Sequence, residues 1–198
     1  AAPGGTVSES GSGAPSGIPA VPSPADVPAP SGGDAPFPEA APTPTPVPPP
    51  AEAVLVAVGD VMMHKPMVPG VYDEASGTYD FTGFFAPLRD VFLNADWAFA
   101  NLETPIGGDE RGFPGYPRFN APVALADALV DAGFDVVSTA NNHSLDQNYS
   151  GLVHTLEVLR ERGIRPAGTA DSEEAAGEIV MLERNGIVNA FLAYTYGT

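Results

Sequence analysis

From Ala51 onward the chain alternates short apolar runs with amphipathic stretches. Val54-Leu-Val-Ala-Val58 is uninterrupted and predicts a strand buried on both faces. Phe85, Leu88, Val91 and Phe92 recur at helical spacing and predict a helix opened at Phe81-Thr82, with Thr82 as its cap. Trp97-Ala-Phe-Ala100 predicts a second strand, with Trp97 in the core, and the Gly- and Pro-rich residues 104–121 predict a loop. Pro122 suits the first turn of a helix whose stripe is Ala126, Leu129 and Val130, and Gly133 suits its stop. Asp135-Val-Val-Ser-Thr-Ala140 predicts a third strand. Leu152, Leu156 and Leu159 predict a helix over 150–162 that ends at Gly163, with His154 in a packing or surface role. Asn185-Gly186, between apolar stretches at 178–183 and 187–194, is a hairpin signal. Strands alternating with helices predict an α/β fold. The last residues, Tyr196-Gly-Thr198, come just past a strand, which predicts a domain cut short at its C-terminus.

Residues 1–50 differ in kind. They hold 15 of the 23 prolines, no Lys or Arg, and a single aromatic, Phe37. Such a segment cannot bury enough apolar surface to offset its ordering entropy. It predicts a disordered Pro/Ala/Ser/Gly-rich stalk or interdomain linker, semi-extended where prolines alternate before Pro50. The folded domain is expected over 51–198.

Charge narrows the partners. The formal net charge is -17, with 8 Lys and Arg against 25 Asp and Glu. A chain this acidic repels polyanions at long range, which argues against nucleic-acid binding. An anionic polymer would have to be met through a metal or a local basic spot. The absence of cysteine excludes thiolate metal sites, cysteine nucleophiles and disulfides. No stretch is apolar for the roughly 20 residues a membrane helix needs.

Three apolar strands end in polar residues able to ligate a metal: Gly59-Asp60, Asn101-Leu-Glu103 and Asn141-Asn142-His143. Taken singly, each is as readily a turn or a helix cap. Together, each at a strand end, they point to a site at the carboxyl edge of a sheet, where open α/β folds bind ligands. Carboxylate, amide oxygen and imidazole without sulfur suit Mn, Fe, Zn or Mg. Arg118, in the loop, is a candidate anion contact, and Asp146 is read as a cap for the following helix rather than as a support for His143.

The segments Gly59-Asp-Val-Met-Met-His64, Ala95-Asp-Trp-Ala-Phe-Ala-Asn-Leu-Glu-Thr-Pro105, Phe119-Asn-Ala-Pro122 and Ser138-Thr-Ala-Asn-Asn-His-Ser-Leu-Asp146 carry a resemblance. In order and spacing they are similar to the CapA family of bacterial capsule-synthesis proteins, over 53–196. The resemblance implies a metallo-dependent phosphatase-like fold, a sheet sandwich flanked by helices, and a link to poly-γ-glutamate capsule synthesis outside the cell or at its surface. It implies Asp60, Glu103, Asn142 and His64 as ligands of divalent metal ions and His143 as the catalytic group; Asn101, at the second strand end, and Arg118, in the loop, are the candidate substrate contacts. His64 departs from the wider superfamily, which places a histidine two residues after the first aspartate rather than four. Two functions follow from the resemblance: a metal-dependent hydrolase of a phosphoester or γ-glutamyl amide, or a non-catalytic accessory subunit for assembly or export of the polymer. The partners are then the capsule polymer or the membrane subunits of its synthase.

Overall fold

The computed structural model describes residues 49–197. The expected stalk over 1–50 therefore falls almost wholly outside the described residues. In chain order the elements are β1 (Leu55–Val61), α1 (Val68–Val71), β2 (Tyr72–Asp73), β3 (Thr78–Tyr79), α2 (Thr82–Phe85), α3 (Arg89–Leu93), β4 (Trp97–Leu102) and α4 (Ala124–Ala132). They continue with β5 (Val136–Ser138), α5 (Asn148–Glu161), β6 (Arg165–Ala167), β7 (Val180–Arg184) and β8 (Ile187–Phe191). A four-stranded parallel sheet runs in the order β1-β4-β5-β6, and β2-β3 and β7-β8 form separate antiparallel ribbons.

The sheet grows in one direction only. Right-handed crossovers between successive neighbours then place every connecting helix on the same face. Packing agrees with this. Ala98, Ala100 and Leu102 of β4 and Val137 of β5 share one core with Phe92, Leu125, Leu129 and Leu159 from the helices. The alternate residues, Trp97 and Phe99 of β4 and Val136 of β5, face the other way, against Val180, Leu182, Ile187 and Phe191 of the β7-β8 ribbon. The period-two alternation along β4 thus separates a helix face from a ribbon face.

Local differences from the sequence reading have local causes. β1 is an edge strand, so its apolar run is not buried on both faces: Leu55 is 46% exposed. The helix expected from Thr82 is broken in two, because Pro87 sits in a 3-10 turn between α2 and α3. Leu88 and Val91 of its expected stripe are exposed, whereas Phe92 is buried. Thr82 is not the cap: Asp80 Oδ1 accepts both Thr82 N–H, at 2.8 Å, and its hydroxyl, at 2.6 Å. Strand β6 escaped the reading because Pro166 lies inside it, a residue tolerated on the sheet edge that β6 forms. Gly133 does stop α4, at φ 97°, with its N–H and that of Phe134 both donated to Leu129 O.

Candidate functional site

The site lies at the carboxyl edge of the parallel sheet. A register shift between Ala57 and Asp60 brings Asp60 opposite Asn101 and Val61 opposite Leu102. Asn101 is in turn opposite Ser138 of β5. Asn101 Nδ2 donates to Asp60 Oδ1 at 2.8 Å and reaches Glu103 Oε2 at 3.4 Å. Its Oδ1 accepts from Asn141 Nδ2 at 3.2 Å, and that same amide donates to Leu102 O at 3.0 Å. The turn after β5 is tied by Ser144 Oγ, which accepts from Asn141 N and donates to Thr139 O. His143 N donates to Asn141 Oδ1 at 3.0 Å, so the amide of Asn141 holds both the strand end and the histidine backbone.

Two side chains fix the imidazole. Asp146 Oδ2 lies 2.8 Å from His143 Nδ1 and accepts Phe119 N–H at 2.6 Å. The Phe119 ring meets His143 edge-on, with centroids 4.7 Å apart. With Nδ1 bound to the carboxylate, Nε2 points toward Glu103, 4.0 Å from its Oε1. The His143 and Glu103 side chains are only 12% and 14% exposed. Glu103 is held above the ordinary carboxyl range, chiefly by burial and then by its hydrogen bond and like charge with Asp60; His143 pulls the other way.

The structure brings Asp60, Asn101, Glu103 and His143 into one network. Asn142 is exposed and enters none of its side-chain hydrogen bonds, whereas Asn141 is woven through it. His64 is exposed and outside the network, its ring 5.0 Å from Phe119, the residue that also meets His143. Arg118 donates from Nε to Asp146 O at 2.8 Å and from Nη2 to Asn148 Oδ1 at 3.3 Å. Asp146 does not cap α5, whose cap position is Gln147 and carries no side-chain capping bond; it orients His143 instead. His154 Nδ1 donates to Ile106 O, 2.7 Å away, in a packing role, and Trp97 is buried.

Sequence reasoning missed Asn141 and the orienting part of Asp146. The spacing of His143 and Asp146, three apart, was the one available signal. That Asn141 ties the strand end to the histidine backbone follows from the turn conformation. Among the described residues no group of three or more His, Asp or Glu side chains is arranged to hold an ion by itself. The donor chemistry nonetheless fits a divalent cation: two carboxylates and an imidazole whose other nitrogen is held by a carboxylate, as is usual for metal-ligating histidines.

The family model described as bacterial capsule synthesis protein PGA_cap matches residues 54–198. Protein y4sH of Sinorhizobium fredii, itself uncharacterized, is 32% identical over 136 residues, which are 65% of this chain and 27% of that protein. The capsule biosynthesis protein CapA of Bacillus anthracis is 24% identical over 147 residues, 71% of this chain and 34% of its own length. The PGA biosynthesis protein CapA of Bacillus subtilis is 25% identical over 145 residues, 70% of this chain and 36% of its own. The chain therefore matches between 27% and 36% of the length of these relatives.

Proposed function

The chain belongs to the bacterial capsule synthesis protein family, and on that premise we propose that it carries part of a divalent-metal site serving capsule-polymer synthesis at the cell surface. The polymer class we propose is poly-γ-glutamate, with hydrolysis of a phosphoester or a γ-glutamyl amide as the reaction. The partners are the polymer or the membrane subunits of its synthase. No helix among the described residues is long and apolar enough to cross a membrane.

The observation that supports this reading is the convergence of Asp60 and Glu103 on the amide of Asn101, with His143 Nε2 4.0 Å from Glu103. Asp60 and Glu103 would hold the ion, with His143 Nε2 beside them. A bound Mn, Fe, Zn or Mg ion supplies a water of lowered pKa and neutralises charge developing on an oxyanion. Asn101 keeps the Asp60 carboxylate facing the site through its 2.8 Å bond. Asp146 holds His143 by Nδ1, which leaves Nε2 to give a proton to a leaving group or to bind an oxyanion. Phe119 and the strand ends shield one side of that imidazole from water.

Calorimetric titration of the protein with Mn and Zn tests the reading. Wild type should bind, and Asp60→Asn should bind at least about tenfold more weakly, as loss of a ligand implies. Equal affinities would overturn it. A parallel screen with phosphodiesters and γ-glutamyl amides separates the two functions: metal binding without turnover assigns the accessory function.

A further inference from the structure

The chain has 8 cationic Lys and Arg side chains among 25 acidic ones. Five arginines are paired with carboxylates: Arg89 with Asp131, Arg111 with Glu110, Arg160 with Asp171, Arg162 with Asp127 and Arg184 with Asp135. Among the described residues Lys65, Arg118 and Arg165 have no such partner. Two of these three, Lys65 and Arg118, line one cleft of about 530 Å³ between the His64–Pro66 turn and the 114–118 loop. Its lining contains no Asp or Glu. In so acidic a protein, two uncompensated cations on one acid-free cleft are the local basic spot that an anionic partner requires.

From this we infer that the cleft is an anion subsite, taking a carboxylate of an anionic polymer through Lys65 and Arg118. The inference rests on the polymer substrate proposed above, and it adds where that substrate is gripped. The guanidinium of Arg118 is anchored along one edge by Asp146 O and Asn148 Oδ1, both neutral acceptors. Its charge is thus preorganised without being neutralised, so little side-chain entropy is lost when an anion arrives. Gly115 keeps the cleft open next to Lys65: a Cβ there would lie 3.1 Å from Lys65 Cβ. The volume suits a polymer unit or two and is within the range of small-ligand clefts. Asp146 ties the cleft to the site, because its carbonyl anchors Arg118 while its carboxylate anchors His143. Phe119, next in sequence to Arg118, touches both His64 and His143. A carboxylate held in the cleft would therefore position the chain alongside the imidazole. Lys65 and Arg118 are positioning residues, not participants in bond cleavage.

The test uses a γ-linked tetraglutamate, the same oligomer with its α-carboxylates amidated, and inorganic phosphate, each titrated into the protein in EDTA and followed by amide NMR shifts. The tetraglutamate should shift Lys65, Gly115 and Arg118. The amidated oligomer should bind about tenfold more weakly or worse, the loss of one charge-assisted contact. Lys65→Gln should weaken the acidic oligomer by a similar factor, and Lys65→Arg should restore it. Arg165→Gln, which changes net charge equally but lies elsewhere, should leave it unaltered. Absence of shifts at the cleft, equal binding of the two oligomers, or equal binding by wild type and Lys65→Gln would overturn the inference. Phosphate binding tighter than tetraglutamate would overturn the carboxylate assignment. Because EDTA removes metal, failure here leaves the Asp60 reading standing, and failure of the metal titration leaves this one standing.

Discussion

Asp60 stands opposite Asn101, and not opposite Leu102, because β1 carries one more residue than β4 between Ala57 and Asp60. Partners in register on neighbouring strands share a face of the sheet. Paired with no register shift, the same residues would set Asp60 opposite Leu102, whose side chain is in the helix-face core. The bulge instead turns its carboxylate onto the Asn101 amide at 2.8 Å. Deleting Gly59 should straighten β1 yet leave Asp60 opposite Asn101 and metal binding in place, whereas deleting Val58 and Gly59 together should set Asp60 opposite Ala100 in that core and abolish metal binding, at a stability cost of about 3 kcal/mol or more for a carboxylate moved into apolar surroundings. Gly59→Ala is the control. A Cβ there meets nothing within 4 Å, so its stability should stay within about 0.5 kcal/mol of wild type. Urea unfolding and metal titration of these variants check this; unchanged metal affinity after the double deletion would refute the role given to the register of Asp60.

Glu103 gives a pH signature. Its folded pKa is raised, first by burial and then by Asp60. The unfolded chain therefore releases this proton at lower pH than the folded chain. Between the ordinary glutamate value and the raised one, the folded state binds more protons, so stability falls as pH rises through that window. In metal-free protein, Glu103→Gln should match wild type below the ordinary value and exceed it above the raised one. Denaturant midpoints across pH in EDTA measure the difference, and a variant less stable than wild type at neutral pH contradicts it.

Asp146 should set the tautomer of His143. A carboxylate at 2.8 Å from Nδ1 favours a proton on that nitrogen. Nitrogen NMR of the neutral imidazole should show Nδ1–H in wild type and a shift toward Nε2–H in Asp146→Ala. The same variant leaves Phe119 N–H without its acceptor and should lose about 1–3 kcal/mol. An unchanged tautomer would show that the loop, not the carboxylate, fixes the ring.

Asn120 should be the main support of the 104–121 loop. It is fully buried, its Nδ2 donates to Gly108 O and Gly112 O, and its Oδ1 accepts Gly107 N–H. Asn120→Ala leaves three backbone groups in need of partners and should cost about 2–4 kcal/mol. Proteolysis should then begin within the loop. Cleavage elsewhere first, with unchanged stability, would count against this.

Gly133 tests the end of α4. At φ 97° a Cβ would lie 2.7 Å from Leu93 Cδ2. Gly133→Ala should destabilise by about 1–2 kcal/mol, through backbone conformation and the clash with α3. A denaturation midpoint equal to wild type would show that Leu93 yields freely.

Much of this was legible in the chain. Gly133, Gly163 and Asn185-Gly186 were read as stops and a turn, and all four residues adopt positive φ, because that backbone region is open to few side chains and the signal is local. The strand ends that carry Asp60, Asn101, Glu103 and His143 were legible for a similar reason: apolar runs that stop abruptly in polar residues. The break at Pro87 was equally present in the sequence, but the apolar stripe across it outweighed the proline.

What the sequence alone determined is the local conformation and the kind of chemistry: an α/β alternation, helix stops, a hairpin, and carboxylate, amide and imidazole groups at strand ends. Tertiary structure decided which of those groups meet. The exposure of β1 follows from its place at the sheet edge, and the strand character of Arg165–Ala167 from pairing with β5. The weaving of Asn141 into the hydrogen-bond network, the turn of Asp146 from cap to support beside Phe119, and the gathering of Lys65 and Arg118 on one cleft all depend on contacts between residues far apart in the chain. Propensity acts over a few neighbouring residues. A one-residue bulge moves a side chain to the opposite face of a sheet, and only the pairing of β1 with β4 specifies that shift.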